Sequence, residues 1–179
     1  MPIPLYQNQA TRMKIIILSL SLFLVSNDNF KETYIEKWKE LSIIESDRTG
    51  IPVSIILGQA ILESNYGNSE LAIKARNHFG IKCKKEWEGH FFYKEDDDFN
   101  NKGKLIESCF RSYNMDMDSF IDHSHFLLGK ECYKSLLLND RKDYKSWANG
   151  LHQCGYATDK KYAQKLIKII ETHSLWQLD

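Results

Sequence analysis

Two groups of acidic residues in this chain have the type and placement to do chemistry. Glu63 falls at the end of an otherwise apolar helical segment, Gln59-Ala60-Ile61-Leu62-Glu63-Ser64-Asn65-Tyr66-Gly67. A helix C-terminus carries partial negative charge, which disfavours a second negative charge and raises a carboxyl pKa. General acid catalysis needs a carboxyl that keeps its proton near neutral pH. A solvated helix-end glutamate is the plainer alternative. The second group is the run Glu95, Asp96, Asp97 and Asp98, which the sequence places at the tip of a hairpin. Carboxylates opposed across a cleft are what cleavage of a glycosidic bond uses, one protonating the leaving oxygen and one handling water or the cation-like transition state. Against this stands a solvated charge run, the commonest fate of such a sequence; a calcium loop is weakened by the lack of full EF-hand spacing.

Aromatic residues crowd the segments around both groups: Tyr66, Phe79, Trp87, Phe91, Phe92, Tyr93, Phe110, Tyr113 and Tyr156. Sugar rings have apolar faces that pack on aromatic planes, so a carbohydrate groove would use some of them, while the rest build core. The histidines show no HExxH spacing, and His123 and His125 do not share a helix face, so neither a metal site nor a hydrolase triad is indicated. No cofactor is called for.

Several elements must position these residues. Apolar positions recur at helical spacing over Phe30 to Asp47, with Tyr34, Ile35, Trp38, Leu41 and Ile44. A second helix starts in the turn of Pro52, runs to about Ser64 with Val53, Ile56, Leu57, Ala60 and Ile61 on one stripe, and ends near Gly67. After a short helix at Leu71 to Ala75 come two partly alternating aromatic segments, Trp87 to Tyr93 and Leu105 to Tyr113, separated by the polar stretch Lys94 to Lys104. These predict a β-hairpin. Helical spacing returns at Asp118 to Leu128, more weakly at Tyr133 to Leu138 and Tyr144 to Leu151, and again at Asp159 to Thr172 with Thr158 or Asp159 as cap. The pattern predicts one α+β domain, mainly helical, with a small β-lobe inserted after the second helix.

The 24 basic and 24 acidic side chains cancel, which argues against a general nucleic-acid binder or an electrostatic membrane adherer. Arg12 and Lys14 precede an apolar run from Ile15 to Val25 that is too short for a permanent membrane span; it reads as a secretory signal peptide behind an upstream extension, residues 1–26, with a buried helix as the alternative. Removing it leaves residues 27–179 as the working domain, with 22 basic and 24 acidic side chains and a net charge of −2. In an exported protein four cysteines without a CxxC pair permit disulfides. Cys83–Cys109 would staple the base of the hairpin and Cys132–Cys154 would tie two later helices, with free thiols the alternative.

The segment from Gln59 to Gly67, then Asn77-His78-Phe79-Gly80-Ile81-Lys82, then Phe110-Arg111-Ser112-Tyr113, then Gly155-Tyr156-Ala157-Thr158-Asp159 with Tyr162-Ala163, resembles the ordered signature of glycoside hydrolase family 73, from about Tyr34 to the C-terminus. The resemblance implies a lysozyme-like α+β fold and an endo-β-N-acetylglucosaminidase that cuts peptidoglycan glycan strands at the β-1,4 bond from N-acetylglucosamine to N-acetylmuramic acid. It maps the general acid onto Glu63 and an invariant tyrosine beside the reaction centre onto Tyr156. Asp122 matches an aspartate linked to activity in some members, with a structural hydrogen-bond role as the alternative. Tyr66, Asn77, Phe79 and Gly80 would line the groove, Phe79 equally serving as core. The family's second carboxylate is usually a glutamate followed by an aromatic. Here Asp98, which precedes Phe99, is chosen, with Asp97 and Glu95 as alternatives. A monomer acting in the periplasm, envelope or outside the cell is the expectation. The rival readings are a lytic transglycosylase, a non-catalytic wall-binding module and, without a matching motif, a secreted protease.

Overall fold

The computed structural model describes residues 29–99 and 103–179; the leader predicted at residues 1–26 lies outside them. Helix α1 spans 29–49. Its buried face is Tyr34, Trp38, Ser42, Glu45 and Ser46, whereas Ile44 is exposed. The stripe therefore runs one position away from the apolar residues Leu41 and Ile44. The small serines let the helix pack closely, and the buried Glu45 carboxylate is held by both nitrogens of the Arg48 fork at 3.1 and 2.6 Å.

Helix α2, Val53–Ser64, is buried almost all round rather than along one stripe, because later helices enclose it. Pro52 is its N-cap and offers no side-chain acceptor. The Asp179 carboxylate supplies one instead, accepting from the Ser54 N–H at 2.8 Å and the Ser54 hydroxyl at 2.6 Å, an anion where the helix dipole favours it. Gly58 lets the last long helix approach: a Cβ there would lie 3.0 Å from Leu166 and 3.1 Å from Ile170. The helix ends in three successive left-handed residues, Asn65, Tyr66 and Gly67, at φ of 49°, 55° and 77°. A Cβ on Gly67 would sit 2.9 Å from the Tyr34 ring, so this turn needs glycine on both counts.

Helix α3, Glu70–Ala75, is capped by Ser69. The hairpin follows, with β1 at Phe91–Phe99 and β2 at Leu105–Arg111. Phe110, Phe92, Leu71 and Ala75 form a small separate core beneath it. The register passes from Glu95 opposite Glu107 to Phe99 opposite Leu105, so β1 carries two extra residues there. The acidic run is thus not a loop at the tip but part of the bulged strand β1. Its β-character comes from pairing with β2, which local polarity does not reveal. Cys83–Cys109 staples the base of the hairpin, beside the Lys82–Phe110 bridge.

Helix α4 spans Asp116–Leu128, α5 Glu131–Lys134, α6 Tyr144–Gln153 and α7 Tyr162–Thr172. Short 3-10 turns follow α5 and α7. The last helix starts later than Asp159, whose carboxylate instead accepts from the Lys161 N–H at 2.8 Å in a local turn. Cys132–Cys154 joins α5 to the end of α6. No described helix is long and apolar enough to cross a membrane.

Candidate active site

Glu63 sits in the last turn of α2, and its oxygen Oε1 is closed to solvent with no close hydrogen-bond partner among the described residues. Burial pushes its carboxyl pKa up from 4.5 to about 7, against the opposing pull of the Tyr162 hydroxyl and the Lys165 ammonium. The helix end predicted the direction, but loss of water is the larger cause. Tyr162 is buried and Tyr156 is half-buried, and their rings stack at 5.4 Å. Tyr133 meets Tyr156 edge-on at 6.1 Å, and its hydroxyl is likewise buried without a partner. Two phenols therefore stand beside the carboxyl, with Tyr133 behind Tyr156, and the negative charge of Glu63 holds the Tyr156 and Tyr162 hydroxyls in their protonated form in addition to burial.

The other predicted site residues divide. Asn77 is fully committed: its amide donates to Ile81 O at 3.0 Å and Arg111 O at 2.9 Å, and its oxygen accepts from the Phe79 and Ile81 N–H groups. It pins the hairpin to the helical body and has no capacity left for a substrate. Phe79, 3% exposed, stacks on His123 at 3.9 Å and meets Phe120 edge-on. It is core, not groove, because the chain around Asn77 turns it inward. Gly80 provides the positive φ of 63° in that turn. Tyr66 lines a pocket of about 400 Å³ with Phe30, Tyr34, Trp38 and Arg76, which Glu63 does not line, and bonds His173 Nε2 at 2.7 Å.

Asp122 accepts from Arg111 Nη1 at 2.8 Å and from the Tyr113 hydroxyl at 2.6 Å. The Arg111 guanidinium also lies 4.6 Å over the Trp87 ring. This cluster locks the end of β2 onto α4. The side chains of Asp97 and Asp98 lie outside the described residues. Glu95 is exposed, and Asp96 pairs with Lys82 at 2.6 Å. Among the described residues, the charged group that acts on Glu63 is the Lys165 ammonium, which opposes the upward shift. No described cluster of three His, Cys, Asp or Glu residues could hold a metal.

Residues 39–175 match the Glucosaminidase family model, described as mannosyl-glycoprotein endo-beta-N-acetylglucosaminidase. The chain belongs to this family. The glucosaminidase domain is 40% identical over 132 residues to exo-glucosaminidase LytG of Bacillus subtilis, covering 70% of this chain and 45% of that protein. It is 30% identical to the peptidoglycan hydrolase FlgJ of Vibrio parahaemolyticus, covering 77% of this chain and 46% of that one. The chain thus spans under half the length of these relatives. The catalytic domain of the autolysin Auto from Listeria monocytogenes superposes with a TM-score of 0.75 at 27% identity, covering 100% of this chain and 99% of that one. The fold is the lysozyme-like α+β arrangement that the motifs implied.

Within this glucosaminidase domain, Asp122→Ala is expected to lower the unfolding free energy by about 3 kcal/mol, because it strands a largely buried guanidinium. Urea denaturation reads this directly. Unchanged stability with lost turnover would instead give Asp122 a part in the chemistry.

The site also contains residues that sequence reasoning did not assign to it: Tyr133, Tyr162, Gln59 and His123. Tyr162 stood within a recognised motif, and Gln59 lies one helical turn before Glu63, so both carried a signal. Tyr133 carried none.

Proposed function

We propose that this domain hydrolyses the β-1,4 bond between N-acetylglucosamine and N-acetylmuramic acid within peptidoglycan glycan strands. The observation that carries the reading is Glu63, a carboxyl whose pKa burial raises to about 7, ringed by tyrosines at the end of the central helix. Such a group is still substantially protonated at neutral pH, so it has a proton to give to a leaving glycosidic oxygen. The domain's relatives include proteins named peptidoglycan hydrolases and a glucosaminidase.

In this mechanism Glu63 protonates the glycosidic oxygen, Tyr156 steadies the acetamido group or the developing positive charge, and Asp98 on the hairpin serves as the second carboxylate, activating water or balancing the transition state. An aspartate is one methylene shorter than glutamate, so the hairpin must approach further, and the Asn77 and Asp122 anchors set the hinge about which it does so. Both disulfides are formed, which fits export to an oxidising compartment. With a net charge of −2 after leader removal, recognition rests on sugar faces and acetamido groups rather than on bulk attraction.

Digestion of purified peptidoglycan followed by mass spectrometry tests this reading. Fragments with reducing N-acetylglucosamine ends, long ones first, are expected. Anhydro-muramic ends would make the domain a lytic transglycosylase, release of single sugars only would make it exo-acting, and binding without digestion would make it a wall-binding module. Because the acid must be protonated, kcat/KM should decline as pH rises through about 7.

A further inference from the structure

Behind Glu63 three polar side chains are buried where the surrounding helices are otherwise apolar. Gln59 and His123 are 0% exposed and Tyr162 is 3% exposed. A buried polar group without a partner is costly, so their connections matter. His123 Nε2 lies 3.1 Å from Gln59 Oε1, and Gln59 Nε2 donates to the Tyr162 hydroxyl at 2.7 Å. The Tyr162 hydroxyl in turn stands against the Glu63 carboxyl.

The chemistry of each group fixes the direction of this chain. Burial pushes the His123 pKa down to about 3, so the ring is neutral and carries one N–H. Its Nδ1 is buried without a partner among the described residues, while Nε2 faces a carbonyl oxygen that can only accept. The proton therefore sits on Nε2. The Gln59 amide, oriented by that bond, presents its N–H to the Tyr162 oxygen. Having accepted, that hydroxyl has one O–H left to give, and the carboxyl of Glu63 is the acceptor beside it.

We propose that Gln59, held by His123, is a positioning residue that commits the Tyr162 hydroxyl as a donor to the inner oxygen of Glu63, so that the acid carries its proton on the outer oxygen, toward the sugar. A carboxyl oxygen that accepts a hydrogen bond takes the carbonyl role, which leaves the other oxygen as the hydroxyl. In the free domain this last link is not closed to hydrogen-bond distance, Oε1 having no close partner, yet the hydroxyl already acts on the carboxyl and lowers its pKa. Of the titratable groups facing Glu63, Tyr162 and Lys165 come from α7 and Tyr156 from the turn after α6. Tyr133 of α5 acts on both tyrosines. Gln59 and His123 reach the carboxyl only through Tyr162.

The inference rests on Glu63 being the proton donor, and its test is read independently of turnover. The Glu63 carboxyl is titrated by carbon-13 NMR in the folded wild-type chain, in Tyr162→Phe and in Gln59→Met, alongside the basic limb of the kcat/KM profile. A donor to the ionised carboxyl lowers its pKa. Tyr162→Phe should therefore raise the titration midpoint by about one pH unit, and Gln59→Met should move it the same way. The double variant should move it no further than Tyr162→Phe alone, since the two act in series. The basic limb should follow. If Gln59→Met fails to fold, His123→Phe breaks the relay at its far end and keeps the stacking on Phe79.

An unmoved midpoint, or additive shifts, would overturn the relay. A lowered midpoint in Tyr162→Phe would show the chain running the opposite way, with Tyr162 accepting the acid proton. If the midpoints move as stated while Glu63→Gln stays active, the relay stands and the assignment of the acid fails.

Discussion

Glu63→Gln should make the protein more stable in alkaline buffer while removing its activity. The folded chain holds this carboxyl with a pKa of about 7 rather than 4.5, because burial strips water from its charged form. A group whose pKa is raised on folding contributes its full stability below the unfolded value and loses it as pH climbs through the folded value. The loss on complete ionisation is about 3 kcal/mol at 1.36 kcal/mol per pH unit. Glutamine has the shape of the protonated acid and never ionises. The variant and the parent should therefore unfold at nearly the same urea concentration at about pH 4, with the variant ahead by about 3 kcal/mol at about pH 9. A difference independent of pH would mean that the carboxyl is not held in its neutral form. Destabilisation in a surface glutamate's place would be small at every pH.

The second large effect concerns Cys132–Cys154. Its residues are 22 apart, and closing a loop of that length in the unfolded chain is worth about 3 kcal/mol. Replacing both cysteines by serine should lower the unfolding free energy by that amount. The consequence for the site is more specific. Cys132 precedes Tyr133, and Cys154 caps α6 just before Gly155 and Tyr156. The disulfide thus ties together the backbone under Tyr133 and Tyr156, whose rings meet at 6.1 Å, the second of them beside Glu63. Its loss should reduce kcat even at temperatures where the chain stays folded. Removing Cys83–Cys109, whose ends are 26 positions apart in sequence, should cost similar stability. Its effect on kcat should be smaller, because backbone bonds from Cys83 to Cys109 at 2.8 Å and from Arg111 to Ile81 at 2.9 Å hold the same strands together. Urea unfolding and initial rates on both serine pairs measure the contrast. Equal effects of the two pairs on kcat would contradict the positioning role given to Cys132–Cys154.

Sequence periodicity located the helices well because it reports burial, and burial is decided within a few turns of chain. The helix α2 and the place of Glu63 at its end were legible for this reason. Partnerships between distant residues were not. Tyr162 and Gln59 are 103 residues apart and meet only because Gly58 admits α7 against α2. The resemblance left Asp122 with either a link to activity or a structural hydrogen-bond role, and only the folded chain brings Arg111 and Tyr113 to it. Asn77 and Phe79 lie in a recognised motif, yet they serve the turn that carries the hairpin. The acidic run read as a loop because its strand is created by pairing, with the bulge between Glu95 and Phe99 absorbing residues that local pattern assigns to a tip.

The most direct test of the account is the release of reducing N-acetylglucosamine ends from purified peptidoglycan by the wild-type domain and by Glu63→Gln, both confirmed folded, in the same neutral buffer. Loss of the general acid should lower the rate by about 10²–10⁴-fold. A variant that releases these ends at close to the wild-type rate would contradict it.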